Sequence, residues 1–367
     1  MTKRAALILA GGKALRFQTK YKDWEDKALA EISEKPLLIH AMENARQVAD
    51  ELVVCVDTNE RRDRYTKVIE KYAFANAQIV VDEQIWPVNG PNLAILSGLN
   101  AVHADYCLTL PCDMPFLEPP VADYLFEEAA DFEVSIPMWP NGRLETLLMV
   151  LQRQNTLEVV KTLCQLTRPR SDDITRGSSK TLLASPVNHI KTLDPELKSF
   201  ININTKNDLS KPQTRPTRGK IRDDLKFCLG NQLTFSLRLL RQGGKMLENG
   251  VQEELSEAEK TFAFCTQSFE SAHFFFWAAV SAEKQGEALL ESLSQGFNPE
   301  SAINKVKESF LRAAKNYLFE AHFFEMNGCP WLAQRALADK VWCELRTTDQ
   351  SDRVKKPWKT TRAKRML

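Results

Sequence analysis

The first 210 residues alternate short apolar runs with stretches whose apolar positions recur at helical spacing. The runs "ALILAG" (6–11), "ELVVCVD" (51–57), "QIVVDE" (78–83), "YCLTLPCD" (106–113) and "FEVSIPM" (132–138) predict strands. Helices are predicted around 36–50, 60–75, 91–104 and 119–130. This alternation predicts βαβ units and an α/β fold: a Rossmann-like, mostly parallel sheet with helices on both faces. The polar, turn-rich "TRPRSDDITRGSSK" (167–180) reads as a mobile loop.

The pattern breaks at "NDLSKPQTRPTRGK" (207–220), where prolines, a glycine and several cations interrupt it. A first domain over 1–210 and a linker over 211–222 follow. From 223 to 348 the apolar positions keep helical spacing, which predicts an all-α second domain of about four to six helices. "FESAHFF" (269–275) and "FEAHFF" (319–324) echo each other, but two copies are too few for a solenoid. The aromatic stripe of Phe274, Phe275, Phe276, Trp277, Phe323 and Phe324 reads as core. His273 and His322 read as ordinary core or surface histidines rather than a metal pair. The basic end, 349–367, reads as a disordered tail.

Composition adds limits. A chain of 367 residues suits two domains, and a formal charge of +1 gives no reason to expect a nucleic acid or a membrane surface as partner. No apolar stretch has the length of a membrane span, and the basic start lacks the features of a signal peptide. The eight cysteines include no Cys-x-x-Cys pair, and several lie inside apolar runs, so a reducing cytoplasm is expected.

Candidate chemistry collects at the predicted strand ends, where open α/β sheets hold their ligands. Gly11 and Gly12 follow the first strand and leave backbone N–H groups open to a base or phosphate, with Lys13 and Arg16 as nearby cations. Alone, this pair reads equally well as a plain turn. Asp113, in the Pro-rich "LPCDMPFL" (110–117), is either a Mg²⁺ ligand or a turn cap. Asp82 ends a third strand, and the Gly90-Pro91 turn then opens a helix whose N-terminus favours anions. Asn202 and Asn204, in "SFININTKNDL" (199–209), hold metal or phosphate or simply fix a turn.

In this order the stretches resemble the MobA-type molybdenum cofactor guanylyltransferases, within the LAGG nucleotidyltransferases. The matching residues are LAGGKALRF, EDKALAEISEKPLLIH, Asp82 with NGPNLAIL, PCDMPFL, NGRLETLL and FININTKNDL, all between residue 4 and about 210. The resemblance implies a nucleotide-diphospho-sugar transferase-like fold and Mg²⁺-dependent transfer of GMP from GTP to the phosphate of molybdopterin. On matching positions, Leu9, Ala10, Gly11 and Gly12 would hold the nucleotide through backbone groups. Arg16 and Lys27 would neutralise the triphosphate, Asp82 would contact the nucleoside and Asp113 would bind Mg²⁺. Asn204 would lie on the metal or substrate side, and Arg143 and Glu145 would face the acceptor or form a surface pair.

The chain departs from the family in several places. Gln18 replaces a glycine, about six extra residues separate Arg16 from Lys27 and bring Lys20 and Lys22, and Cys55, Ala94 and Lys206 replace family residues. The expectation is therefore a longer phosphate loop. Rival readings keep the reaction but change the acceptor (cobinamide phosphate or a sugar phosphate) or the donor to CTP. Another makes the chain a nucleotide-binding adaptor that acts through its helices. For that second domain the expected roles are docking of an apo-molybdoenzyme or self-association.

Overall fold

The run "AALIL" offers apolar side chains to both faces of a sheet, and Arg4–Leu9 accordingly form a strand buried along nearly its whole length. This is β1 of a computed structural model that describes residues 2–18, 24–74, 76–213, 218–230, 233–295 and 300–348. The other strands are β2 (Glu31–Ile32), β3 (Lys35–Pro36), β4 (Glu51–Val56), β5 (Gln78–Val81), β6 (Tyr106–Pro111), β7 (Val134–Pro137), β8 (Met149–Gln152), β9 (Lys180–Ala184) and β10 (Leu225–Cys228). The first helices are α1 (Leu37–Ala45), α2 (Asn59–Lys71), α3 (Pro91–Ala101), α4 (Pro119–Glu128), α5 (Arg153–Gln165), α6 (Asp172–Gly177), α7 (His189–Leu193) and α8 (Lys206–Ser210).

The main sheet runs β10-β9-β7-β8-β6-β1-β4-β5, and β2-β3 form a separate small hairpin. The pairs β1–β4, β1–β6, β4–β5 and β7–β9 are parallel, whereas β8 and β10 enter antiparallel. Side-chain alternation assigns the faces. Ala6, Ile8, Val54, Val56, Leu108 and Leu110 point to a core shared with α1, α2 and α4. On the opposite face α3 approaches so closely that a Cβ at Gly98 would lie 2.9 Å from Cys55 Sγ and Leu7 Cδ1. The chain passes from β1 outward to β4 and β5, then returns to β6 on the other side of β1. That reversal is the switch point at which such sheets bind ligands.

Two compact units divide the chain, Met1–Val160 with Thr167–Cys228, and Lys161–Leu166 with Leu229–Leu367. The first unit therefore extends past the boundary expected at 210. Part of the expected linker belongs to it: Ile221 N–H donates to Pro140 C=O at 3.1 Å, and β10 pairs with β9. Asp224 locks this extension by accepting from Tyr124 Oη (2.8 Å) and Ser185 N–H (2.7 Å). Four residues and three polar neighbours give so weak a periodic signal that the strand is invisible in the sequence.

The expected mobile loop at 167–180 is also corrected. It holds α6 and the start of β9, and Ser171–Ser179 are all buried. Asp173 joins Arg168 and Arg176 at 2.8 Å each, and Glu133 accepts from Ser179 N–H and Oγ at 2.7 Å each. The polarity that suggests a loop is internal compensation of charge.

The second unit holds α9 (Thr234–Asn249), α10 (Gln252–Ser271), α11 (Phe275–Ser294), α12 (Glu300–Met326) and α13 (Pro330–Leu345), each packed on the one before. Five helices agree with the pattern. Phe274, Phe276, Trp277 and Phe324 are buried, Phe275 and Phe323 are half-buried, and His273 and His322 are exposed. Glu270 of α10 binds Arg312 of α12 through two hydrogen bonds, and Tyr317 Oη donates to Glu283 at 3.0 Å. Among the described residues, no helix is long and apolar enough to cross a membrane. The expected tail, 349–367, and Lys20 and Lys22 lie outside the described residues.

Candidate active site

The loop after β1 is held from β4 and α2. Leu9 and Ala10 continue the sheet, with Ala10 N–H donating to Cys55 C=O at 3.0 Å and Cys112 N–H to Leu9 C=O at 3.1 Å. Gly11 and Gly12 then lie exposed, and Gly12 has φ +101°, a conformation that side chains disfavour. Gly12 is tied at both ends of its backbone. Its N–H donates to Asp57 Oδ2 (3.3 Å), and its C=O accepts from Arg61 (2.7 Å). Arg61 also binds Asp57 Oδ1 at 2.8 Å.

Lys27 opens a short 3₁₀ turn, Lys27–Leu29, capped by Asp26, whose carboxylate accepts from Ala28 N–H at 3.2 Å. The same carboxylate accepts from Tyr65 Oη at 2.9 Å and lies within 3.8 Å of Arg61 and 3.6 Å of Arg64. This network presents the Lys27 ammonium to Asp113, with which it forms an ion pair across the switch point. Burial and the Asp26 carboxylate push the Tyr65 phenol far above its ordinary range, so it stays protonated and can donate to Asp26. Tyr65→Phe is expected to lose this hydrogen bond and cost about 1 kcal/mol of stability in thermal unfolding, with a lower apparent affinity for nucleotide.

Arg16 reaches Asn204 Oδ1 at 2.8 Å, and Ile203 N–H donates to Asp113 C=O at 2.9 Å. The FININT segment thereby closes the far side of the site. Asn204 is itself fixed, since Asp208 accepts from the N–H groups of Asn204 (3.0 Å) and Thr205 (2.8 Å) in a capping box that starts α8. Asn202 turns back on its own loop, donating to Phe200 C=O at 3.3 Å.

Asp82, one residue beyond β5, is buried, and its Oδ1 has no hydrogen-bond partner. Burial pushes its carboxyl up to about 6; the Ser97 hydroxyl opposes this, and Asp57 adds to it. A buried carboxylate oxygen without a donor is costly unless a ligand supplies one. Glu145 accepts from the buried Trp139 indole N–H at 2.5 Å, and burial raises its carboxyl above the usual range. Asp113 adds to that rise and Arg143, which is exposed, opposes it.

Lys13 is exposed at the rim. Gly90 lies at the N-terminus of α3. With φ +124° it packs on Pro169, while Asn92, the second residue of α3, donates to the C=O groups of Arg168 (2.7 Å) and Arg170 (2.9 Å). Those contacts anchor the turn that leads into the buried Ser171–Ser179 stretch. Sequence reasoning passed over Asp57, Asp26, Arg61 and Tyr65. Asp57 was legible as the terminal residue of "ELVVCVD"; the others sit on polar helix or loop positions that carry no signal of their own.

Strand ends carrying a glycine loop, two cations and a carboxylate have the geometry of a nucleotidyltransferase. The comparisons agree. The sequence profile of the MobA-like NTP transferase domain matches residues 6–178. A relative from Methanosarcina acetivorans, named "Probable molybdenum cofactor guanylyltransferase", is 31% identical over 208 residues, covering 56% of this chain and 88% of its own. One of the same name from Thermococcus sibiricus is 31% identical over 212 residues, covering 56% and 95%. Among solved structures, molybdopterin-guanine dinucleotide biosynthesis protein A from Archaeoglobus fulgidus is similar at 20% identity and a TM-score of 0.47, covering 57% of this chain and 95% of its own. The chain belongs to the MobA-like NTP transferase family, and within it is a molybdenum cofactor guanylyltransferase-like nucleotidyltransferase. The helical unit from Leu229 onward lies outside the matched profile.

Proposed function

We propose that this chain transfers GMP from GTP to the terminal phosphate of molybdopterin, releasing pyrophosphate, with Mg²⁺ as its metal. The observation that carries the reading is the meeting of Lys27 with Asp113, and of Arg16 with Asn204, around the exposed Gly11–Gly12 loop. The molybdopterin phosphate attacks the α-phosphorus of GTP and the pyrophosphate leaves, so the protein contributes positioning and charge rather than covalent chemistry. The N–H groups of Gly11 and Gly12 approach the nucleotide, with Gly12 exchanging Asp57 for its ligand. Lys27 and Arg16 turn from Asp113 and Asn204 to the negative charge of the triphosphate.

Asp113 fits a Mg²⁺ ligand. Its side chain is 18% exposed, and its present partner is a cation. Mg²⁺ favours one or two carboxylates with phosphate oxygens, which Asp113 and the triphosphate would supply. Bound there, the metal would neutralise charge developing on the phosphates. Glu145, within electrostatic reach of Asp113, would face the acceptor.

Asp82 suits a base that carries N–H donors, guanine among them, because its unpartnered Oδ1 requires a donor. The raised carboxyl favours the protonated form. The contribution of Asp82 to stability is thus full below the ordinary carboxyl range and declines as pH rises through about 6. Nucleotide binding has the opposite trend, because the ionised form is the better acceptor. Affinity for GTP is expected to weaken as pH falls from 7 to 5, with a midpoint near 6, and this dependence is absent in Asp82→Asn. A titration at several pH values checks it.

The reaction itself is tested by measuring pyrophosphate release with Mg²⁺, molybdopterin and each of GTP, CTP, ATP and UTP. Release with GTP above the others is expected. A preference for CTP or UTP, or nucleotide binding without release, would overturn the proposal.

A further inference from the structure

Three stretches of the chain meet at one place: Gln18, the pair Trp24 and Glu25, and Lys206. The Gln18 amide donates to Glu25 C=O and accepts from Glu25 N–H, both at 2.9 Å, as one backbone strand pairs with another. Its Nε2 also lies 3.4 Å from Ala14 C=O. Lys206, at the start of α8, forms an ion pair with Glu25 and sits 6.0 Å from the Phe17 ring centroid. The Trp24 indole N–H donates to Lys13 C=O at 3.3 Å, and the Arg61 guanidinium lies over the Trp24 ring at 5.0 Å. Arg61 is the same side chain that holds Gly12 and Asp57.

Building on the nucleotidyltransferase reading, we propose that Gln18, Trp24 and Glu25 form a clasp, closed by Arg61 and Lys206, that positions the phosphate loop Gly11–Arg16 for the triphosphate. The loop needs an external hold. Gly12 has φ +101° and Ala14 φ +44°, a left-handed conformation that alanine disfavours, and Phe17 N–H to Ala14 C=O (2.9 Å) is the backbone bond that closes the turn. Each clasp residue touches either this loop or a residue that touches it. Gln18 binds Ala14, Trp24 binds Lys13, Arg61 binds Gly12, and Lys206 tethers Glu25 to the segment carrying Asn204, the partner of Arg16. None of Gln18, Trp24 and Glu25 is paired with Lys27 or Asp113, and the clasp reaches the Asp26 carboxylate next to Lys27 through Arg61, 3.8 Å away. Clasp residues are therefore positioning residues, and their loss acts on nucleotide binding more than on turnover of the bound complex.

The test uses the full chain and its Gln18→Ala, Trp24→Ala, Glu25→Lys, Lys206→Glu and Glu25→Lys/Lys206→Glu variants. Hydrogen exchange of the Gly12–Phe17 amides is followed without nucleotide, and KM and kcat for Mg·GTP are followed by pyrophosphate release. Gln18→Ala and Trp24→Ala are each expected to speed exchange and raise KM about tenfold, with kcat changed less than about twofold. Either single charge reversal raises KM a few-fold, and the double reversal restores it. Unchanged exchange and KM in both alanine variants, or a loss confined to kcat, overturns the clasp. If the unmodified chain neither binds nor uses GTP, the nucleotidyltransferase reading fails. The exchange arm then decides the clasp alone, faster exchange supporting it and unchanged exchange overturning it.

Discussion

Asp113→Asn is expected to lower the rate of pyrophosphate release about a thousandfold, with the fold intact. The size of the effect follows from the proposed role: Asp113, just past the end of β6 and paired with Lys27, would be the carboxylate that holds Mg²⁺. Its ion pair with Lys27 is mostly buried, with 15% and 18% of the two side chains exposed, so the stability lost is about 1–3 kcal/mol. Removing the negative charge also frees Lys27. The variant is therefore expected to bind GTP at least as well as the unmodified chain when Mg²⁺ is withheld. Steady-state rates and metal-free GTP titrations read the two effects separately. A rate within tenfold of the unmodified chain would remove Asp113 from the metal site.

Asp173→Ala is the second large effect, and it falls on stability. Asp173 lies 2.8 Å from both Arg168 and Arg176, and all three side chains are buried to within 3%. Truncating the shared carboxylate removes one buried negative charge that both buried guanidinium groups contact, at a cost of about 3–5 kcal/mol. For a unit of this size that corresponds to a fall in melting temperature of about 10 °C, measured by thermal unfolding of the full chain. The outcome discriminates between the buried α6 of the structure and the mobile loop that composition suggests, since an exposed loop would lose less than about 0.5 kcal/mol.

The two expectations differ in how visible they were beforehand. Asp113 was legible because an apolar run ends in Cys112-Asp113 between prolines, and a carboxylate at a strand end carries chemistry in this fold. Lys27 was legible only through the resemblance, since a lysine among Glu25, Asp26 and alanines has no local signature. The helical half was readable as helices because their stripes repeat over many turns, from Thr234 to Leu345. β10 was not, since Leu225–Cys228 is stabilised by pairing with β9 and by Asp224 rather than by its own alternation.

By itself the sequence determined the local facts: where apolar runs make strands, that Gly12 permits a turn with positive φ, and that the chain changes character before its helical half. Only the tertiary structure decided which of these facts act together. Lys27 and Asp113 are 86 residues apart, and Arg16 and Asn204 are 188. They meet because β1 and β6 lie side by side with their ends in register. The same holds for burial. The charges at Arg168, Asp173 and Arg176 read as a solvated loop until folding shows that both guanidinium groups share one buried carboxylate, because composition records which charges are present and not how far apart they lie.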